Sequence, residues 1–165
     1  MRRTDKYRFW IVLLLLVALH FSIRSRLGSA RVAPDFLLLA LLMYSIRSPT
    51  GISALAGFLV GLAGDALTPA TFGAGMLAHT LVAYFASWAK AVFFAENLIV
   101  NGCLFLGGTW VRNLIVALVS GRLKGGMLGW ELLFWSPLQG LTTAVAGVIV
   151  LVLFRDWLAV RRTDV

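Results

Sequence analysis

Two histidines, one aspartate and one arginine set in strongly apolar sequence are the side chains to weigh for chemistry: His20, His79, Asp65 and Arg112. The histidines lie in different apolar segments, without the His-Glu-x-x-His spacing that puts two metal ligands on one helix face. No Gly-x-Ser-x-Gly elbow is present to expose a nucleophile, and no glycine-rich loop ends in Lys-Ser or Lys-Thr to cradle phosphates. Leu62-Ala63-Gly64-Asp65 lacks the first glycine of an intramembrane aspartyl protease signature, and no second membrane aspartate accompanies it. The single cysteine, Cys103, cannot form an internal disulfide and reads as a small packing residue. The residues therefore predict no enzyme, no catalytic or metal-binding side chain and no cofactor.

The elements that carry these side chains are apolar helices. Of 165 residues, 60% are hydrophobic and 13% charged, against about a quarter charged in an ordinary soluble domain. The apolar residues fall in blocks, and a bilayer core needs roughly 20 of them per helix. The pattern predicts one all-α integral membrane domain over 1–165, a six-helix transmembrane bundle. Its helices are expected at about 9–23, 33–46, 52–67, 72–88, 97–119 and 130–154. The first reads as an uncleaved helix, because Arg24 and Arg26 precede the small residues Gly28 and Ala30.

Basic residues set the orientation. With both termini cytoplasmic, the inside holds Arg2, Arg3, Lys6, Arg8, Arg47, Lys90, Arg155, Arg161 and Arg162. The outside holds Arg24, Arg26, Arg31, Arg122 and Lys124, which satisfies the positive-inside bias. The net charge of +8 thus reads as lipid and topology charge, and no nucleic acid partner is implied. Trp10, Trp88, Trp130 and Trp157 fall near helix ends, as interfacial anchors do.

Within this frame a few residues acquire structural readings. Pro34 fits the first turn of the second helix, with Asp35 beside it at the positive end of the helix dipole. Gly57, Gly61 and Gly64 share one face of the third helix, where small residues admit close helix approach. That face serves either internal packing or a partner. Asp65 either caps the Thr68-Pro69 turn or pairs with Arg112. Asn101, Asn113 and Gln139 are expected to hydrogen-bond between helices, and His79 to be a packing histidine.

Gly57-Phe58, Gly61, Asp65, Thr68, Gly73 and Tyr84 stand in the spacing G-F-x₂-G-x₃-D-x₂-[ST]-x₄-G-x₁₀-Y, downstream of Pro34-Asp35. This resembles MreD, a small polytopic protein of the bacterial rod-shape system. The resemblance implies a multi-pass protein of the inner (cytoplasmic) membrane that binds MreC. Indirectly it implies RodA, a class B penicillin-binding transpeptidase and the MreB system as partners in organising lateral peptidoglycan synthesis by the elongasome. It also implies a fold like the substrate-binding subunits of energy-coupling-factor transporters. On this reading Gly57, Phe58, Gly61, Gly64, Gly73 and Tyr84 serve helix packing or partner contact, and Pro34, Asp35, Asp65 and Thr68 are structural polar positions. Leucine at Gly57 or Gly61 is then expected to weaken the complex while leaving insertion intact. The rival is a vitamin-binding transporter subunit, which commonly carries an Ala-x-x-x-Ala contact in its first helix. The run Ile11–Ala18 has none.

Overall fold

The first helix, α1 (Arg3–Arg24), buries Phe9, Val12, Leu13 and Leu16 on one side and exposes Ile11, Leu14 and Leu15 on the other. The spacing of the buried set is one helical stripe. The opposite face is equally apolar, which suits a helix bathed in lipid rather than water. In this computed structural model the described residues are 3–24, 31–68, 72–89, 97–121 and 125–155. Lys90, Pro69, Trp157 and the basic residues Arg2, Arg26, Arg122, Lys124, Arg161 and Arg162 lie outside them, as do Gly28 and Ala30. Helix α1 begins earlier than the apolar block because Arg3-Thr4-Asp5-Lys6 contains no helix breaker.

The second helix, α2 (Phe36–Ser45), is shorter than the 33–46 expected. Its N-cap is Asp35, whose carboxylate accepts the Leu38 N–H at 3.1 Å. Pro34 therefore precedes the cap and is not in the first turn. Ten residues rise only about 15 Å, half of a bilayer core. The missing half is the irregular run Val32–Asp35, with Ala33 and Asp35 buried. Its polar groups are met by side chains from the last helix. Thr142 Oγ1 donates to the Val32 carbonyl at 2.8 Å, and Gln139 Nε2 to the Ala33 carbonyl at 3.2 Å. Thr143 Oγ1 accepts the Asp35 N–H at 3.0 Å. Buried irregular backbone persists only where it is paired in this way.

Helices α3 (Thr50–Ala66) and α4 (Ala74–Ala89) form the closest pair. The buried residues of α3 are Ser53, Gly57, Gly61 and Asp65, one every four residues. A Cβ at Gly61 would stand 2.5 Å from Met76 Cα and 2.7 Å from the Gly75 carbonyl oxygen. At Gly57 it would strike the His79 carbonyl. These two glycines let the α4 backbone lie against α3. Gly64 has nothing within 4 Å of its would-be Cβ, so the three-glycine face is divided: two positions pack and one is open.

Among the described residues, helix α5 (Leu98–Ser120) and helix α6 (Gly126–Leu153) are the two long and apolar enough to cross a membrane, by length and composition. Cys103 lies on the exposed side of α5, so it is not the packing residue its apolar setting suggested. A π-helical stretch, Glu131–Trp135, interrupts α6 just before Pro137. In π geometry the Leu132 carbonyl seeks the N–H of residue 137, which proline lacks. The Trp110 indole N–H of α5 supplies the bond instead, at 2.9 Å.

The six helices of the described residues alternate in direction, so the ends of α1, α3 and α5 share one pole with the starts of α4 and α6. At the opposite pole, Ser87 Oγ donates to the Ser48 carbonyl at 2.8 Å. There Arg47 lies 4.6 Å over the Phe9 ring, and burial lowers its pKa from the ordinary value. The described residues contain helices and no strands.

Candidate functional site

Polar side chains in an apolar bundle must find partners or bind something, and here they gather at the pole where α3 ends and α4 begins. Asp65, next to last in α3, extends its carboxylate to the first turn of α4. Its Oδ2 accepts the N–H groups of Gly73 at 2.8 Å and Met76 at 3.0 Å, and Oδ1 accepts that of Gly75 at 3.1 Å. One helix thus supplies the N-cap of the next. The positive φ of Gly73, +94°, is what turns its N–H toward the carboxylate, a backbone state that favours glycine.

Thr68 closes α3 itself, with Oγ1 donating to the Gly64 carbonyl at 3.0 Å and its N–H to the Asp65 carbonyl at 3.0 Å. Asp65 therefore neither caps that turn through its side chain nor pairs with Arg112. The carboxylate is consumed by α4.

Arg112 is held from the other side. Its Nη1 donates to Asn113 Oδ1 at 2.9 Å, Asn113 Nδ2 donates to Gln139 Oε1 at 2.8 Å, and Gln139 continues to the Ala33 carbonyl. This chain ties α5 to α6 and both to the irregular segment before α2. Gln139→Leu removes two of its links and orphans a buried carbonyl. A loss of about 1–3 kcal/mol is expected, read as a lower unfolding midpoint in mild detergent. An unchanged midpoint would show that the chain contributes nothing.

Between these two arrangements lies a cavity of about 370 Å³, lined by His20, Asp35, Gly64, Asp65, His79 and Arg112 among others. His20 Nδ1 is 3.2 Å from the Leu37 N–H and 3.4 Å from Asp35 Oδ1. His79 Nδ1 lies 2.8 Å from the Gly75 carbonyl oxygen. A carbonyl can only accept, so Nδ1 carries the proton and Nε2 of the neutral ring offers a bare lone pair. That Nε2 is buried without a partner, as is the Nε–H of Arg112. Among the described residues no three His, Cys, Asp or Glu side chains gather as metal ligands.

The structure separates the residues that the sequence motif placed together. Asp65, Gly73 and Thr68 build the α3–α4 junction, Gly57 and Gly61 the interface below it, and Gly64 opens on the cavity. Phe58 and Tyr84 are exposed, 43% and 45%, on the outside of the bundle. Sequence reasoning missed the convergence of Asp35 and Asp65 on one cavity, and the part played by Thr142 and Thr143. Two adjacent threonines following Gln139 in an apolar helix were the available signal.

The comparisons with known proteins agree with the motif. The family model described as rod shape-determining protein MreD matches residues 1–158. Among curated proteins and among solved structures, nothing matches the chain. A family match over nearly the whole length carries a cell-shape-determining role and a membrane setting with it. On that match, the chain belongs to the MreD family.

Proposed function

We propose that this protein is a non-catalytic, multi-pass scaffold of the bacterial inner membrane, with six spans and both termini cytoplasmic. It binds MreC and through it helps organise lateral peptidoglycan synthesis by the elongasome. The family match over residues 1–158 carries this reading. Two physical features support it. The chemically capable side chains Asp35 and Asp65 are engaged as helix caps. The perimeter offers apolar side chains such as Leu14, Phe58 and Leu133, a surface that fits lipid or another membrane helix.

The glycine-lined strip of α3 faces α4, which favours a partner contact on the outer perimeter over one on that strip. Purification of the tagged protein in gentle detergent, followed by mass spectrometry, tests the assignment. Recovery of a single-span protein with a large periplasmic part, or of cell-wall polymerases, is the expected result. Recovery of cytoplasmic ATPases with a coupling membrane subunit would replace it with vitamin uptake.

A further inference from the structure

Two lengths in this bundle do not agree. Helix α3 has 17 residues, about 25 Å, and α5 has 23, about 35 Å. Local chemistry fixes both ends of α3. Pro49 at its N-cap keeps Ser48 out of the helical region. At the other end the Thr68 hydroxyl and N–H close the last turn on the Gly64 and Asp65 carbonyls. The apolar part of α1, Tyr7–Ser22, is no longer than α3, whereas α6 runs to 28 residues. The α1–α3 side is therefore short of a hydrocarbon core about 30 Å thick, and the α5–α6 side is not. Tilting accommodates an overlong helix, but it makes a short one span still less.

Both ends of the short side are polar. At one pole stand Arg47, Ser48 and the buried Ser53 hydroxyl, which donates to the Ser45 carbonyl. At the other, the cavity lined by His20, Asp65, His79 and Arg112 reaches into the bundle. Arg112 is about two turns from the end of α5 at Ser120, so the cavity lies about 12 Å below that end. Phe21 of α1 and Leu67 at the end of α3 line this cavity and are themselves exposed, so it opens on the short side. Two buried atoms of its wall, Arg112 Nε and His79 Nε2, have no partner in the bundle. Hydrocarbon cannot supply one, and water can.

We propose that the α1–α3 side of the bundle binds a locally thinned bilayer. The lipids against it are drawn several ångströms closer across the membrane than those against α5 and α6, and the surface dips to bring water and headgroups to the cavity. The apolar residues Ile52, Leu55, Leu59 and Leu62, exposed along α3, are the surface that holds this shortened lipid layer. The inference rests on the membrane reading above and not on the MreC partner.

Nitroxide labels on single cysteines, in a Cys103→Ser background in oleoyl phosphatidylcholine nanodiscs, measure how far each side is shielded from an aqueous nickel chelate. Along α3 the labels stand at Gly51, Leu55, Leu59 and Leu67; along α6 they stand at Leu133, Leu141, Ile149 and Val152, all exposed positions. Gly51 and Leu67, about 24 Å apart along the helix, are both expected to be open to nickel. Leu133 and Val152, about 28 Å apart, are both expected to be shielded. Each variant is checked for monodisperse elution, so that a folding defect is seen as such. The unlabelled protein gives a second readout. Its unfolding is expected to be about tenfold faster in erucoyl than in myristoleoyl phosphatidylcholine, because the short side must then thin a thicker bilayer. Shielding of Gly51 and Leu67 equal to that of Leu133 and Val152, or unfolding no faster in the erucoyl lipid, would overturn the proposal. Nickel access at every position of both helices would overturn the membrane reading beneath it.

Discussion

Asp65→Ala is expected to lower stability by about 3–5 kcal/mol, the largest effect of any single side-chain truncation in the bundle. The carboxylate accepts three backbone N–H groups at the start of α4. Each hydrogen bond to a charged acceptor is worth about 1.5–3 kcal/mol, and the three are not additive. An ordinary N-cap lost to alanine costs about 0.5–2 kcal/mol. Here the cap arrives from a neighbouring helix, so its loss also frees the α3 end from the α4 start. Asp65→Asn keeps one acceptor oxygen and is expected to fall between wild type and alanine. Denaturant unfolding in mild detergent, followed by tryptophan fluorescence, measures both. A loss below about 1 kcal/mol for the alanine variant would show that solvent or other groups satisfy those amides equally well.

Gly61→Leu is the second large effect, expected at about 3 kcal/mol or more, beyond the usual range for overpacking. The reason lies in what the added atom meets. The Cβ itself falls on the Met76 Cα and the Gly75 carbonyl oxygen, so no rotamer relieves the clash and α3 must separate from α4. Gly61→Ala should already lose most of this stability, and Gly57→Ala, against the His79 carbonyl, should behave alike. Gly64→Ala is the control. With open space around it, alanine is expected to be neutral or to gain up to about 1 kcal/mol of helix propensity. Equal behaviour of Gly61→Ala and Gly64→Ala would contradict the packing. Of the two readings of the glycine face, this geometry shows internal packing at Gly57 and Gly61, so any weakening of a partner complex by leucine there passes through the α3–α4 contact.

Much of this was legible because membrane helices announce themselves by composition. The apolar blocks pointed to an all-helical fold, and six helices stand among the described residues, while the glycine spacing in α3 marked a close contact. What the spacing could not show was the neighbour. Gly57 and Gly61 fit an internal helix as well as an external one, and only the turn carrying Gly73 back to Asp65 decides between them. The same holds for α2. Its apolar run suggested a helix from residue 33, but Pro34 biases Ala33 toward extended backbone and Asp35 stops the helix by capping it. The irregular run survives because Gln139, Thr142 and Thr143 reach it from more than 100 positions along the chain. No local pattern contains a contact of that range. The polar cavity was hidden for the same reason: His20, Asp35, Asp65, His79 and Arg112 come from five different segments.

The cavity, the α3–α4 cap and the proposed scaffold role all presuppose a bundle that crosses the inner membrane with its polar pole outward. Single-cysteine labelling in intact cells, in a Cys103→Ser background, tests this most directly. Leu67→Cys and Met127→Cys place exposed thiols at the polar pole, and Gly51→Cys places one at the opposite pole. A membrane-impermeant maleimide is expected to label the first two in intact cells and Gly51→Cys only after the membrane is opened. Labelling of Gly51→Cys in intact cells, with Leu67→Cys and Met127→Cys protected, would contradict the orientation. Labelling of all three would contradict a bundle that spans the membrane.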